Sequence, residues 1–153
     1  MDTQTTAIIQ LMIKQEEAVQ AFYSACAEKF PPQRDFWVSL AMAEQSHACF
    51  LREIAENRIQ AAGFVDRRRF QVSPIQILLV FIEKQHGELK RPDFTLLNAL
   101  AVAREFENSM IEKRFFEVMQ GDSEETKARL NRLQQETTAH KAQVEKMLAT
   151  CRV

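Results

Sequence analysis

Long stretches of helical periodicity, with few residues able to interrupt them, constrain this chain more than any other feature. Only three of its 153 residues are glycine and four are proline, so tight turns are rare and helices can run long. Apolar side chains recur every three or four positions, the pattern of a helix with one buried face. The periodic stretches are residues 5–30, 33–62, 95–120 and 122–151. Because the length suits one domain, we predict a single all-α domain over residues 1–153.

The connections between these stretches predict their topology. Pro31-Pro32 separates the first pair of helices and Gly121 separates the second, so each pair should form an antiparallel hairpin. Residues 63–95 form a long link with a predicted short helix from Pro74 to about Gln85. A link of that length can traverse a bundle. Two hairpins joined by one long crossover predict the ferritin-like, up-down-down-up four-helix bundle.

Composition and charge exclude several classes of partner. Twenty Lys and Arg residues oppose twenty-one Asp and Glu residues, so the chain lacks the basic field with which proteins bind nucleic acid. The longest apolar run, residues 77–82, is too short to span a bilayer, and the N-terminus is unlike an export signal. Cys26, Cys49 and Cys151 include no Cys-x-x-Cys pair, so we expect reduced thiols that serve as small packing groups. The sequence thus predicts a cytoplasmic protein without nucleic-acid or membrane partners.

Each predicted inner face is apolar except near its middle. Burying one carboxylate in a bundle is costly, and burying several requires a common explanation. Counted from the turns at about 1.5 Å of rise per residue, the interrupting positions fall within roughly one helical turn of the same height. We therefore expect them to meet at one level of the bundle. These residues are Glu16, Glu44, His47, Glu107 and His140.

The types and spacing of these residues suit transition-metal binding. Glu44 and His47 are three positions apart, so they project from the same helix face. Divalent iron and manganese accept this mixture of oxygen and nitrogen ligands, and a carboxylate that bridges two ions offsets their repulsion. In ferritin-like di-iron bundles, two helices each supply a Glu and the other two supply Glu-x-x-His. The sequence thus predicts a two-metal site.

Three motifs resemble those of the rubrerythrin family. Glu-Glu-Ala-Val-Gln-Ala-Phe-Tyr at residues 16–23 resembles the first-helix motif, in which a ligand Glu precedes a Tyr by seven residues. Ala-Glu-Gln-Ser-His at residues 43–47 resembles the second-helix Glu-x-x-His. Ala-Arg-Glu-Phe-Glu at residues 103–107 is similar to the third-helix motif, whose last Glu is a ligand.

This resemblance implies a di-iron centre, with manganese or zinc as alternative metals. Glu44 would bridge the two ions, and Tyr23 would be the adjacent catalytic residue. The centre would react with peroxide or dioxygen and take electrons from a donor that the sequence does not name. The other ligands implied by the resemblance are Glu16, His47, Glu107 and His140.

The fourth helix departs from the family pattern, because Thr137 stands where a Glu should precede His140 by three residues. Glu136 lies beside it, and we expect this side chain to lean inward as a substitute ligand. The cysteine pairs of a rubredoxin module are missing. Two functions therefore stay open. One is a di-iron oxidoreductase of the peroxidase or ferroxidase type, or an iron-sequestering protein; the other is a bundle that has lost turnover and binds metal or a protein partner.

The predicted crossover helix is strongly apolar. Seven of the eight residues from 75 to 82 are large and apolar, too many for a solvated link. We expect them to cover the bundle or another subunit, and the second option favours a homodimer.

Overall fold

Five helices and one 3₁₀ turn occur in the residues that the computed structural model describes, which are 3–56, 72–109 and 124–151. These ranges contain no strand, so the predicted all-α class is confirmed. None of their helices is long and apolar enough to cross a membrane. The elements are α1 (Thr3–Lys29), the 3₁₀ turn (Pro31–Gln33), α2 (Arg34–Ala55), α3 (Val72–Glu88), α4 (Leu96–Ser109) and α5 (Glu124–Cys151).

The end of α2 differs from the prediction. The sequence predicts a helix to about Ala62, whereas α2 ends at Ala55 and Glu56 forms a turn. Ile54 is the last buried apolar residue within the described part of this helix. Residues 57–62, over which the sequence predicts further helix, lie outside the described residues.

The other helix ends agree with the prediction where the structure describes them. Both ends of α1 and α3, the start of α4 and the end of α5 lie within three residues of their predicted positions. Residues 110–123 lie outside the described ranges. They include the predicted end of the third bundle helix, at residue 120, and the predicted start of the fourth, at residue 122.

The first two helices form an antiparallel hairpin around the turn at Pro31–Gln33. Two prolines open this turn, where a helix start needs no backbone N–H donor. Close to the turn, the rings of Tyr23 and Trp37 lie with their centroids 5.8 Å apart. Farther from it, Glu17 pairs with Arg52. In these two contacts the residue with the higher number on α1 meets the residue with the lower number on α2, so the two helices run in opposite directions.

The crossover helix α3 packs along α1 and runs parallel to it. Near its start, Ile75 joins the same apolar cluster as Ile8. Near its end, the ring of His86 lies 6.5 Å from the ring of Phe22, centroid to centroid. Ile75 and Ile82 are fully buried, so α3 covers the bundle, one of the two options that its composition predicts. Its outward Ile77 is 71% exposed, and self-association through this face stays a prediction.

Helices α4 and α5 complete the bundle. Thr95 caps α4 because its N–H donates to Oδ1 of Asn98 at 2.9 Å and its hydroxyl accepts from the N–H of Asn98 at 3.2 Å. α5 contacts both α4 and α2. Arg129 of α5 binds the carboxylate of Glu53 on α2 through two bonds of 2.5 and 3.1 Å. This pair ties the second hairpin helix to the last helix.

Two apolar clusters fill the interior. The turn-side cluster lies near the 3₁₀ turn and includes the buried rings of Phe22, Tyr23, Trp37 and Phe106. The far cluster lies at the other end of the helices and contains Ile, Leu and Met side chains around Phe50. Aromatic contacts hold the first cluster together, and aliphatic packing holds the second.

A layer of buried polar side chains separates the two clusters. Four helices contribute to it. On α1, α2 and α5 the contributing positions lie between residues of the far cluster and residues of the turn-side cluster, and on α4 Glu107 directly follows Phe106 of the turn-side cluster. Every member is at most 8% exposed. The polar layer consists of Gln15, Glu16, Glu44, His47, Glu107 and Thr137.

Candidate metal centre

Three side chains of the polar layer form a group with the spacing of metal ligands. Glu16 projects from α1, and Glu44 and His47 project from one face of α2, because residues three positions apart share a face. One ligand atom from each residue lies within 4.8 Å of the other two. None of the three is more than 2% exposed. The first hairpin therefore brings three of the predicted ligands together in the bundle interior.

The distances within this group fit a divalent metal ion. Nδ1 of His47 lies 3.4 Å from Oε2 of Glu44 and 3.6 Å from Oε2 of Glu16. These separations exceed the usual N–H···O distance of about 2.7–3.2 Å. Two ligand atoms bound to one tetrahedral ion at about 2.1 Å lie about 3.4 Å apart. Carboxylate oxygen and imidazole nitrogen are ligands that iron, manganese and zinc accept.

Tyr23 holds Glu107 from across the bundle. The Tyr23 hydroxyl donates to Oε1 of Glu107 at 2.9 Å, and both side chains are buried. This bond joins α1 to α4 and orients one carboxylate oxygen of Glu107. Glu107 does not belong to the group of three whose ligand atoms lie within 4.8 Å of one another. The predicted catalytic tyrosine on α1 therefore contacts a predicted ligand on α4.

The surroundings of Tyr23 keep its phenol protonated. Burial raises the pKa of Tyr23 well above its usual value, and the negative charges of Glu107 and then Glu44 raise the pKa further. A protonated phenol is a hydrogen-bond donor, the role it has toward Glu107. Tyr23 is therefore influenced by one carboxylate on α4 and one on α2.

Helix α5 contributes less to the layer than the sequence predicts. Thr137 is the α5 residue buried at this level, at 8% exposure. Glu136 and His140, the two ligands predicted on this helix, are only half-buried. Neither belongs to the group with ligand spacing. Four of the six predicted ligands therefore lie in the polar layer, and the two on α5 are at its edge.

Gln15 is a member of the polar layer that the sequence pattern misses. It lies next to Glu16, one position off the predicted inner face of α1, yet it is fully buried. The crossover helix α3 covers this second face of α1. The sequence does contain a sign of this burial: Ile8 and Phe22, seven positions before and after Gln15, are apolar residues on the same face of the helix.

The cysteines follow the prediction at one position out of three. Cys26 is buried in the turn-side cluster, and burial raises the pKa of its thiol. Cys49 and Cys151 are exposed, so the prediction that they are packing groups is wrong. Both lie off the buried line of their helices, where a small side chain meets solvent.

No family model, no curated protein and no solved structure matches the chain.

Proposed function

We propose that the polar layer binds two divalent metal ions, iron in the functional protein, and that the chain is a rubrerythrin-like protein that reacts with peroxide or dioxygen or handles iron. One observation carries the proposal: Glu16, Glu44 and His47 place their ligand atoms within 4.8 Å of one another inside an apolar bundle. Two carboxylates at that depth are costly unless cations compensate them. A metal ion supplies that compensation.

Helices α1, α2 and α4 supply the ligands in this proposal. Glu16, Glu44 and His47 would hold the first ion, and Glu44 together with Glu107 would hold the second. When bound, iron supplies the electrons that reduce peroxide or dioxygen. Tyr23 keeps its proton and donates it in a hydrogen bond to Oε1 of Glu107, which fixes the direction of that carboxylate. Hydrogen bonds donated to a metal-binding carboxylate hold it in the direction of the metal.

We also propose the ferritin-like topology for the bundle. Three observations support it. α2 runs antiparallel to α1, α3 returns along α1 in parallel, and Lys29 at the end of α1 donates hydrogen bonds to the carbonyls of Leu89 and Arg91, 2.5 and 2.6 Å long, just before α4. α4 therefore starts at the turn side, parallel to α2. That arrangement is two hairpins joined by one crossover.

A second candidate function is favoured by Thr137. A neutral hydroxyl at the buried α5 position is a poorer ligand than the carboxylate expected there. A centre short of one carboxylate binds its second ion weakly, and a bundle of that kind acts as a metal-binding or partner-binding protein without turnover. The first candidate stays the conclusion because it explains the whole acidic group.

Anaerobic titration with ferrous iron tests the proposal. The chain should saturate near two equivalents, and Glu44→Gln should lose most of the binding because Glu44 is shared by both ions. Glu105→Gln is the matched control, since Glu105 is exposed on α4, and it should bind as the parent does. Saturation at zero equivalents contradicts the proposal, and saturation at one confines it to a mononuclear site.

Peroxide then separates the two candidate functions. If the centre turns over, the absorption of ferric iron should develop faster in the loaded protein than in buffer containing the same iron. An equal rate, with two ions bound, would favour the second candidate.

A further inference from the structure

Thr137 carries a buried hydroxyl that the proposed metal site does not use. The residue is 8% exposed, and its Oγ1 is buried with no hydrogen-bond partner among the described residues. Buried polar atoms in native proteins are almost always paired with another protein group, a water or a ligand. The Thr137 hydroxyl is therefore a donor for something that the described residues do not supply.

The neighbours of Thr137 on α5 show that the side chain points into the polar layer. Leu133, four positions earlier, belongs to the far cluster, and Val144, seven positions later, belongs to the turn-side cluster. Thr137 lies on the same buried face, between them. Thr138, on the next face, is exposed and donates from its hydroxyl to a carbonyl of its own helix at 3.0 Å. Only the first of these two hydroxyls faces the layer.

The charges of a loaded layer do not balance. Glu16, Glu44 and Glu107 supply three negative charges, against four positive charges from two divalent ions. An imidazole ligand such as His47 is neutral, and so is Thr137. One positive charge would remain in a buried environment, which is unfavourable.

We infer that the metal-loaded layer takes up one small carboxylate anion on its α5 side, with the Thr137 hydroxyl as its hydrogen-bond donor. This inference rests on the proposed function. The anion supplies the negative charge that a glutamate at position 137 would have supplied. A hydrogen bond from a hydroxyl to an anionic oxygen is among the stronger ones in proteins. Formate, the smallest carboxylate, is the probe that the site should accept most readily.

Ferrous binding in two sodium salts tests the inference. The full chain is titrated anaerobically in sodium formate and in sodium perchlorate at the same ionic strength, and the apparent dissociation constant of the weaker ion is compared. Formate should tighten that step by about 5–150-fold, the range of coupling between linked sites. The stronger ion should change much less.

Three variants assign the effect to Thr137. Thr137→Val keeps the shape but removes the donor, so the formate effect should disappear or fall by about tenfold. Thr138→Val removes the neighbouring, exposed hydroxyl and should retain the whole effect. Thr137→Glu supplies the charge internally, so its weaker ion should bind tightly in perchlorate and respond little to formate.

Each outcome separates this inference from the proposed function. Two ferrous ions bound with the same affinity in both salts would overturn the anion site and leave the metal centre intact. No ferrous binding in either salt would overturn both. A formate effect that Thr137→Val retains in full would also overturn the inference, because the anion would then not depend on Thr137. A formate effect that appears only in Glu136→Gln would overturn it as well, because Glu136 would then already supply the negative charge in the parent.

Discussion

The turn-side cluster and the polar layer lie next to each other in the same bundle, but different forces hold them. In the turn-side cluster, the rings of Phe22 and Phe106 pack edge to face with their centroids 5.2 Å apart, a favourable aromatic geometry. In the polar layer, Glu16 and Glu44 lie close together with little access to water. The first region stabilises the folded chain, and the second lowers its stability.

This contrast indicates that the polar layer has a role other than stabilising the fold. A chain that needed only a stable bundle would continue the apolar lines through the layer, as it does on both sides. The unfavourable residues lie on helices from both halves of the chain, which is the cost expected if the proposed metal site is built into the core. Substitutions in the two regions should therefore change stability in opposite directions.

The largest effect on stability is expected in the turn-side cluster. Phe22 is fully buried, and Phe22→Ala removes its ring contacts and leaves a cavity. The free energy of unfolding should fall by about 3–5 kcal/mol, measured by urea denaturation. Met42→Ala is the control, because Met42 is 62% exposed and its truncation should have little effect. Equal losses in the two variants would mean that the cluster is not the stabilising region.

The polar layer should respond with the opposite sign. Replacing both Glu44 and His47 with Leu removes two buried polar groups from the metal-free chain, whose free energy of unfolding should rise by about 1–4 kcal/mol. Ferrous or zinc ions should raise the melting temperature of the parent but leave that of the variant unchanged. A metal-free variant less stable than the metal-free parent would contradict the view that the layer is unfavourable without metal.

Tyr23 joins the two regions, so its hydroxyl should have an intermediate effect. Tyr23→Phe keeps the ring in the turn-side cluster but removes the donor to Glu107. Leaving that buried carboxylate without its donor should lower the free energy of unfolding by about 1–3 kcal/mol. Chemical denaturation of the metal-free protein measures it. Unchanged stability would indicate that the hydrogen bond is replaced by water.

The smallest effect is expected for an ion pair outside the layer. Glu53 and Arg129 are partly exposed, and Arg129 also lies 4.9 Å from the ring of Phe50. Glu53→Gln removes the charge but keeps the arginine on the ring, so stability should fall by about 0.2–1 kcal/mol. The loss should shrink in high salt. A loss as large as that of Phe22→Ala would show that charge, and not packing, dominates this bundle.

Much of this interior could be predicted because helical periodicity determines which residues share a face. The lines through Glu16 on α1 and through Glu44 and His47 on α2 are buried as predicted. The burial of Gln15 could not be predicted from a single apolar face of α1, because it depends on where the crossover helix packs. The half-burial of Glu136 and His140 likewise depends on the rotation of α5 against its neighbours, which local periodicity does not determine.

An anomalous diffraction map would locate iron in the polar layer if that layer is a metal site, as we propose. Crystals of the parent, grown anaerobically with ferrous iron, should give an iron-edge peak bounded by Glu16, Glu44 and His47. Crystals of Glu44→Gln, grown the same way, should show that peak weakened or lost. A parent map with no peak in the polar layer, or with iron only on the outer surface of the bundle, would contradict the proposed metal site.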